Sequence, residues 1–173
     1  MTAQNLIIFA GLPCSGKSTL AESISRTLSM PVFSVDPIEA AMWRGGLAKD
    51  QTGIAAYDVV ATLVDEHLRL GHCVIVDAVN SVEALRDGWR NLAAKYRAEM
   101  KIIECICADE AIHRRRVEGR VRNIAGMPEI TWAYVLERRT EYQPWTDARL
   151  ILDTSARSIE QLLSEAISYM RSD

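Results

Sequence analysis

Residues 11–19 read GLPCSGKST, and Gly11, Gly16, Lys17 and Ser18 satisfy the spacing G-x-x-x-x-G-K-[ST] directly after an apolar run. The chemistry this pattern suits is the holding of a polyphosphate. Glycines let a backbone fold closely around anionic oxygens, and amides at a helix N-terminus point at them, so the amides of residues 13 to 18 are expected to face inward. Lys17 then bridges two phosphates and the Ser18 hydroxyl ligates magnesium. The alternative is an ordinary glycine-containing turn. A full motif in a strand-to-helix context argues against it. Cys14, at a variable position of the loop, reads as a small tolerated residue rather than a redox switch.

Two acids end apolar runs elsewhere. CVIVD closes on Asp77, which reads as a magnesium-site carboxylate, although it could also start the next turn, contact substrate or accept a proton. In VDPIEAAMW, Asp36 precedes Pro37, and Glu39 stands three positions on. That spacing predicts a helix cap: Asp36 as N-cap, Pro37 first in the helix, and Glu39 closing a capping box. A carboxylate held this way can also take a proton from an acceptor hydroxyl.

The run HRRRVEGRVR, 113–122, supplies arginines at 114, 115, 116, 120 and 122. Arg116 and Arg120 lie four apart and share a face if the helix persists through Gly119. Lid arginines that neutralise a moving phosphate, a solvated basic face and a nucleic-acid patch are the three readings.

These groups need a scaffold. Apolar runs at 6–10, 32–35, 73–77, 101–107 and 148–153 read as buried strands, and segments with helical spacing lie between them. Gly71 is placed to end one helix, and Ser158 with Gln161 to open another by a capping box. Strands apolar along their whole length, alternating with helices, indicate an α/β fold with a parallel sheet covered on both faces. At 173 residues, 49% hydrophobic and 25% charged, the chain suits one domain spanning 1–173. A net charge of −3 gives no global reason to bind nucleic acid. The cysteines at 14, 73, 105 and 107 match no metal or redox spacing and read as thiols of a reducing compartment. Without a basic leader or a long apolar span, the expectation is a cytoplasmic protein with no membrane partner.

The segments GLPCSGKST, SVDP, VIVDAVN, CADEAIHRRRVEGR and DTS, in that order, resemble the small P-loop kinases of the AAA type, related to chloramphenicol phosphotransferase and zeta toxin. Shikimate and gluconate kinases are more distant relatives. The resemblance covers nearly the whole chain and implies a P-loop fold with a five-stranded parallel sheet of order 2-3-1-4-5. It implies ATP and Mg2+ over the loop, with Gly11, Pro13, Cys14, Ser15, Gly16, Lys17, Ser18 and Thr19 holding phosphates. Arg116 resembles the arginine that packs on adenine, and Arg120 the lid arginine that reaches the transferring phosphate. Ser155, in DTSAR, falls in the segment bordering adenine, the lid spans about 119–128, and the core is 5–118 with 129–173. Ser18 and Asp77 are the metal positions, and Lys17, Asp36 and Arg120 the catalytic ones. Trp43 and Arg44 should lie near the acceptor.

No N-K-x-D, T-K-x-D or L-S-G-G-Q stretch is present, which argues against a GTP switch and a transport ATPase. A kinase acting on a small-molecule hydroxyl is the leading reading. A polynucleotide 5'-hydroxyl kinase and a regulatory ATPase are the alternatives. Neither the acceptor nor the oligomeric state is written in any pattern of the sequence.

Overall fold

The computed structural model describes residues 4–121 and 123–172. Arg122 of the basic run lies outside the described residues. Strand β1 (Asn5–Ala10) is bonded in parallel to β3 (Val74–Asp77) on one side and β4 (Glu99–Ile106) on the other. Strands β2 (Val32–Ser34) and β5 (Leu150–Asp153) close the edges, giving the order β2-β3-β1-β4-β5. The expected fold is therefore the observed one, and each strand overlaps one run of the predicted set, with β1 and β4 beginning slightly before theirs, at Asn5 and Glu99.

Alternation along β1 divides the core. Leu6, Ile8 and Ala10 pack with α3 (Gly53–Arg69) and α4 (Glu83–Tyr96), whereas Ile7 and Phe9 pack with α1 (Lys17–Leu28) and α7 (Ile159–Arg171). Both faces are covered, which is why the strands are apolar throughout. Among the described residues no helix is long and apolar enough to cross a membrane.

Parallel register brings all strand C-termini to one edge. Phe9 and Ser34 both pair with Asp77, so the phosphate loop, the Asp36 segment and Asp77 leave the sheet together. Functional loops of open parallel sheets gather at this edge. The local signals at 71 and 158 are present: Gly71 has φ +82 just beyond α3, and Ser158 and Gln161 form a reciprocal capping box on α7.

Asp36 requires a correction. Helix α2 (Val35–Arg44) begins before it, with Ser34 as N-cap, so Asp36 is the second helical residue and Pro37 the third. The chain turns helical early because Ser34 is pinned elsewhere, its hydroxyl donating to Asp77 Oδ2 at 2.7 Å. Pro37 still lies in the first turn, where its missing N–H goes unused. Glu39 closes no box; its Oε1 accepts instead from Thr52, at 3.0 Å.

The loop after β3 is held by two buried polar residues. Asn80, at φ +52, donates its backbone N–H to Tyr57 and its side-chain amide to Phe9 O at 2.8 Å. Its Oδ1 accepts from Trp89 and its carbonyl from Arg86. Arg86 is only 1% exposed. Its guanidinium also donates to the carbonyls of Ser81, Gln143 and Pro144 and stacks on Trp145, 4.0 Å from the ring centroid. One cation thus joins the loop after β3 to the segment that follows α6 (Trp132–Glu141).

Arg86→Met preserves bulk but leaves buried carbonyls without donors. It should cost about 3 kcal/mol or more in urea unfolding.

Candidate active site

The phosphate loop leaves β1 at a point of close backbone approach. A Cβ on Gly11 would stand 2.2 Å from Cys105 O, and its φ is +135, so only glycine fits. Gly16, at φ +94, ends the loop as the N-cap of α1 and offers no capping side chain. The first amides of α1 are left to a ligand. A helix start of this kind is an anion site.

The expectation that all amides from 13 to 18 face inward needs correction. Pro13 has no N–H, and Ser15 N donates to Leu12 O at 3.2 Å. The amides of Cys14, Gly16, Lys17, Ser18 and Thr19 remain for a ligand.

A cleft of about 560 Å3 opens over the loop, lined in part by Lys17, Arg115, Arg116, Arg120, Thr154 and Arg157. Among the described residues no carboxylate lines it. Lys17 is 8% exposed, and among the described residues its ammonium has no partner. Arg120, which follows the last residue of α5 (Glu110–Gly119), reaches back to the loop with Nη1 3.6 Å from Cys14 Sγ. Cys14, Gly16, Ser18 and Thr19 also line this cleft. The structure therefore brings together the loop, Arg116 and Arg120.

Arg116 is held firmly. Both its Nη atoms donate to Thr154, at 2.7 Å to the hydroxyl and 2.7 Å to the carbonyl. Sequence reasoning chose Ser155 in this segment, but its hydroxyl turns to Asp153, 2.6 Å away, and the neighbouring Thr154 lines the cleft. Cys14 packs with Val117 of α5 and Val135 of α6, a small apolar cluster that seats both helices on the loop.

Asp77 sits beside the loop, 6% exposed. Its Oδ2 accepts from Ser34, and its buried Oδ1 has no partner among the described residues. A buried oxygen of this kind calls for a ligand. No group of three or more His, Cys, Asp or Glu suited to a metal occurs among the described residues. That suits magnesium, which takes one or two protein oxygens and completes its shell with phosphates and water. Ser18 and Asp77 are the residues that would hold it.

Asp36 is half-buried at the start of α2. Tyr57, across from it on α3, feels Asp36, Asp77 and Glu39; burial first, and then these carboxylates, push its phenol well above the usual range. It therefore keeps its proton. Trp43 donates to Thr52 at 2.6 Å, holding α2 against α3. Arg44 reaches the 120–131 segment and donates to Ala125 O, while Gly126, at φ +84, packs on its side chain. Arg139 pairs with Glu110 and lines a second cavity of about 440 Å3 on the Gly11 side of the loop.

One contributor was missed. His113, assigned no role from sequence, is 2% exposed, and its Nε2 lies 2.8 Å from Pro13 O. A carbonyl can only accept, so Nε2 carries the hydrogen. Burial lowers the imidazole pKa below its ordinary value.

A family model described as an AAA domain matches residues 6–142. The chain belongs to that AAA-domain family. No curated protein sequence matches the chain. Among solved structures it is similar to a proposed kinase from Chloroflexus aurantiacus, at TM-score 0.79 and 20% identity, covering 99% of this chain and 98% of the other. It is also similar to Mycobacterium tuberculosis APS kinase in complex with AMPPNP and APS, at TM-score 0.73 and 20% identity, covering 98% and 99%. A gluconokinase from Sinorhizobium meliloti matches at TM-score 0.69 and 17% identity, covering 98% and 93%. The fold of this family member is thus that of small P-loop kinases, along its full length.

Because the folded imidazole resists protonation, its contribution is present above the ordinary histidine pKa and is lost as pH falls through it, where the unfolded chain takes a proton first. The stability of the native chain relative to His113→Gln, which can still donate to Pro13 O but does not titrate, should fall between pH 7.5 and pH 5 in urea unfolding.

Proposed function

We propose that this family member is an ATP- and Mg2+-dependent kinase that moves the γ-phosphoryl group to a hydroxyl of a small molecule. One observation carries the reading: the buried, unpartnered Oδ1 of Asp77 lies beside a phosphate loop whose Lys17 also has no partner among the described residues. A triphosphate with its divalent ion is the ligand that answers both. The free thiols are in keeping with a cytoplasmic location.

In this reading the amides of Cys14 and Gly16 to Thr19 hold the β- and γ-phosphates, and Lys17 bridges them. Magnesium, held by Ser18 and Asp77, would supply charge compensation on the phosphate oxygens. Asp36 accepts the proton of the acceptor hydroxyl as its oxygen attacks phosphorus, and the bond to the β–γ bridging oxygen breaks to release ADP. Arg120 balances charge on the moving group, and Arg116 borders the base. Such a reaction needs positioning and fixed charge more than covalent participation.

The basic run does not favour a polynucleotide acceptor. Arg114 is paired with Glu118 at 2.7 Å, and Arg115, Arg116 and Arg120 line the nucleotide cleft. A regulatory ATPase would bind ATP yet phosphorylate no acceptor in a broad screen.

The test is purified protein with ATP, Mg2+ and panels of sugars, nucleosides, antibiotics and small metabolites. Failure to bind any nucleotide overturns the reading. Asp36→Asn should lower turnover by about a hundredfold. As an early helical residue rather than a cap, Asp36 contributes little to folding, so unfolding free energy should change by less than about 1 kcal/mol. Lys17→Met should abolish turnover and weaken ATP binding.

A further inference from the structure

A trans peptide is planar, and its C=O and N–H point in opposite directions. A loop amide can therefore face a phosphate only if the carbonyl of the same peptide faces away and is satisfied there. Two of the available amides belong to peptides whose carbonyls are held from outside. The Ser15–Gly16 carbonyl accepts from Thr154 Oγ1 at 2.8 Å, and the Pro13–Cys14 carbonyl pairs with His113 Nε2 at 2.8 Å.

The proton of Thr154 has two carbonyls in reach, Ser15 O at 2.8 Å and Ile106 O at 3.2 Å. The contact to Ser15 O is the shorter, and Ile106 O is already supplied by Thr154 N at 2.9 Å, so the hydroxyl donates to Ser15 O. Arg116 donates to the same oxygen, which polarises the hydroxyl and strengthens its own donation. Both peptides are otherwise easy to turn. Gly16 has φ +94 and Cys14 φ +61, each in the left-handed region beside a rotatable plane. A flipped plane would aim a carbonyl oxygen at an anion.

We propose that Thr154 and His113 are positioning residues that hold these two peptide planes, so that the amides of Gly16 and Cys14 face the bound phosphates. The proposal rests on the nucleotide-binding reading. Its signature is a loss confined to ligands with a phosphate in the loop, because His113 is not asked to hold the base and Arg116, which borders it, keeps its bond to the Thr154 carbonyl when the hydroxyl is removed.

The measurement is displacement of a fluorescent ADP analogue by ADP and by AMP, on variants checked by thermal melting. Thr154→Val should weaken ADP by about tenfold and leave AMP within about twofold, and Thr154→Ser should restore ADP binding. His113→Phe should weaken ADP in the same selective way, and His113→Gln, which still carries a donor, should not. If Thr154→Val fails to fold, the His113 pair carries the test. ADP affinity unchanged in Thr154→Val or His113→Phe, or AMP weakened as much as ADP, overturns the proposal. If the native chain binds neither nucleotide, the functional reading falls and takes the proposal with it.

Discussion

Burial and peptide geometry together set the terms for this site: a backbone that turns its donors inward must find donors for the acceptors it turns outward. Water cannot serve where the loop is seated on the sheet. The donors come from distant parts of the sequence, from α5 and from just past the end of β5. The order of the sheet serves the same need: a central β1 flanked by β4, with β5 beyond it, delivers both partners to one loop. The close seat of Gly11 against Cys105 O fixes the loop at one end, and the start of α1 fixes it at the other.

Charge is divided sharply across the loop. The side that opens on the cleft of about 560 Å3 gathers Lys17, Arg115, Arg116, Arg120 and Arg157, with Glu165 as the partner of Arg157. Its other side gathers Asp36, Glu39 and Asp77 around a phenol that keeps its proton. A net charge of −3 conceals this separation. Bulk charge informs on solubility and gross association, while the local field decides which ligand enters which side.

Much of this could be read in the sequence, and the reasons are local. The phosphate motif, Gly71 and the Ser158–Gln161 box each depend on residues within a few positions of one another, and all three are present. The Asp36–Glu39 spacing carried the same kind of signal and misled, because Ser34 answers to Asp77, 43 residues away, and starts the helix early. His113 reaches Pro13 across 100 residues and Thr154 reaches Ser15 across 139. No periodicity encodes such pairings. Arg86 was hidden differently: an arginine on an amphipathic helix reads as surface, yet here its donors meet backbone carbonyls of two loops.

The hold of Arg44 on Ala125 O makes α2 a lever. Its first turn carries Asp36, and its last residue grips the segment that follows α5. Eight residues separate the two ends, about 12 Å along the axis, so a tilt of about 10° at the base displaces the gripped carbonyl by about 2 Å. Trp43 and Thr52 brace the shaft against α3 near its far end, so motion is transmitted by tilt of the whole rod rather than by bending. A displacement of the turn that carries Asp36 is therefore passed to the chain at Ala125 through a single rigid element.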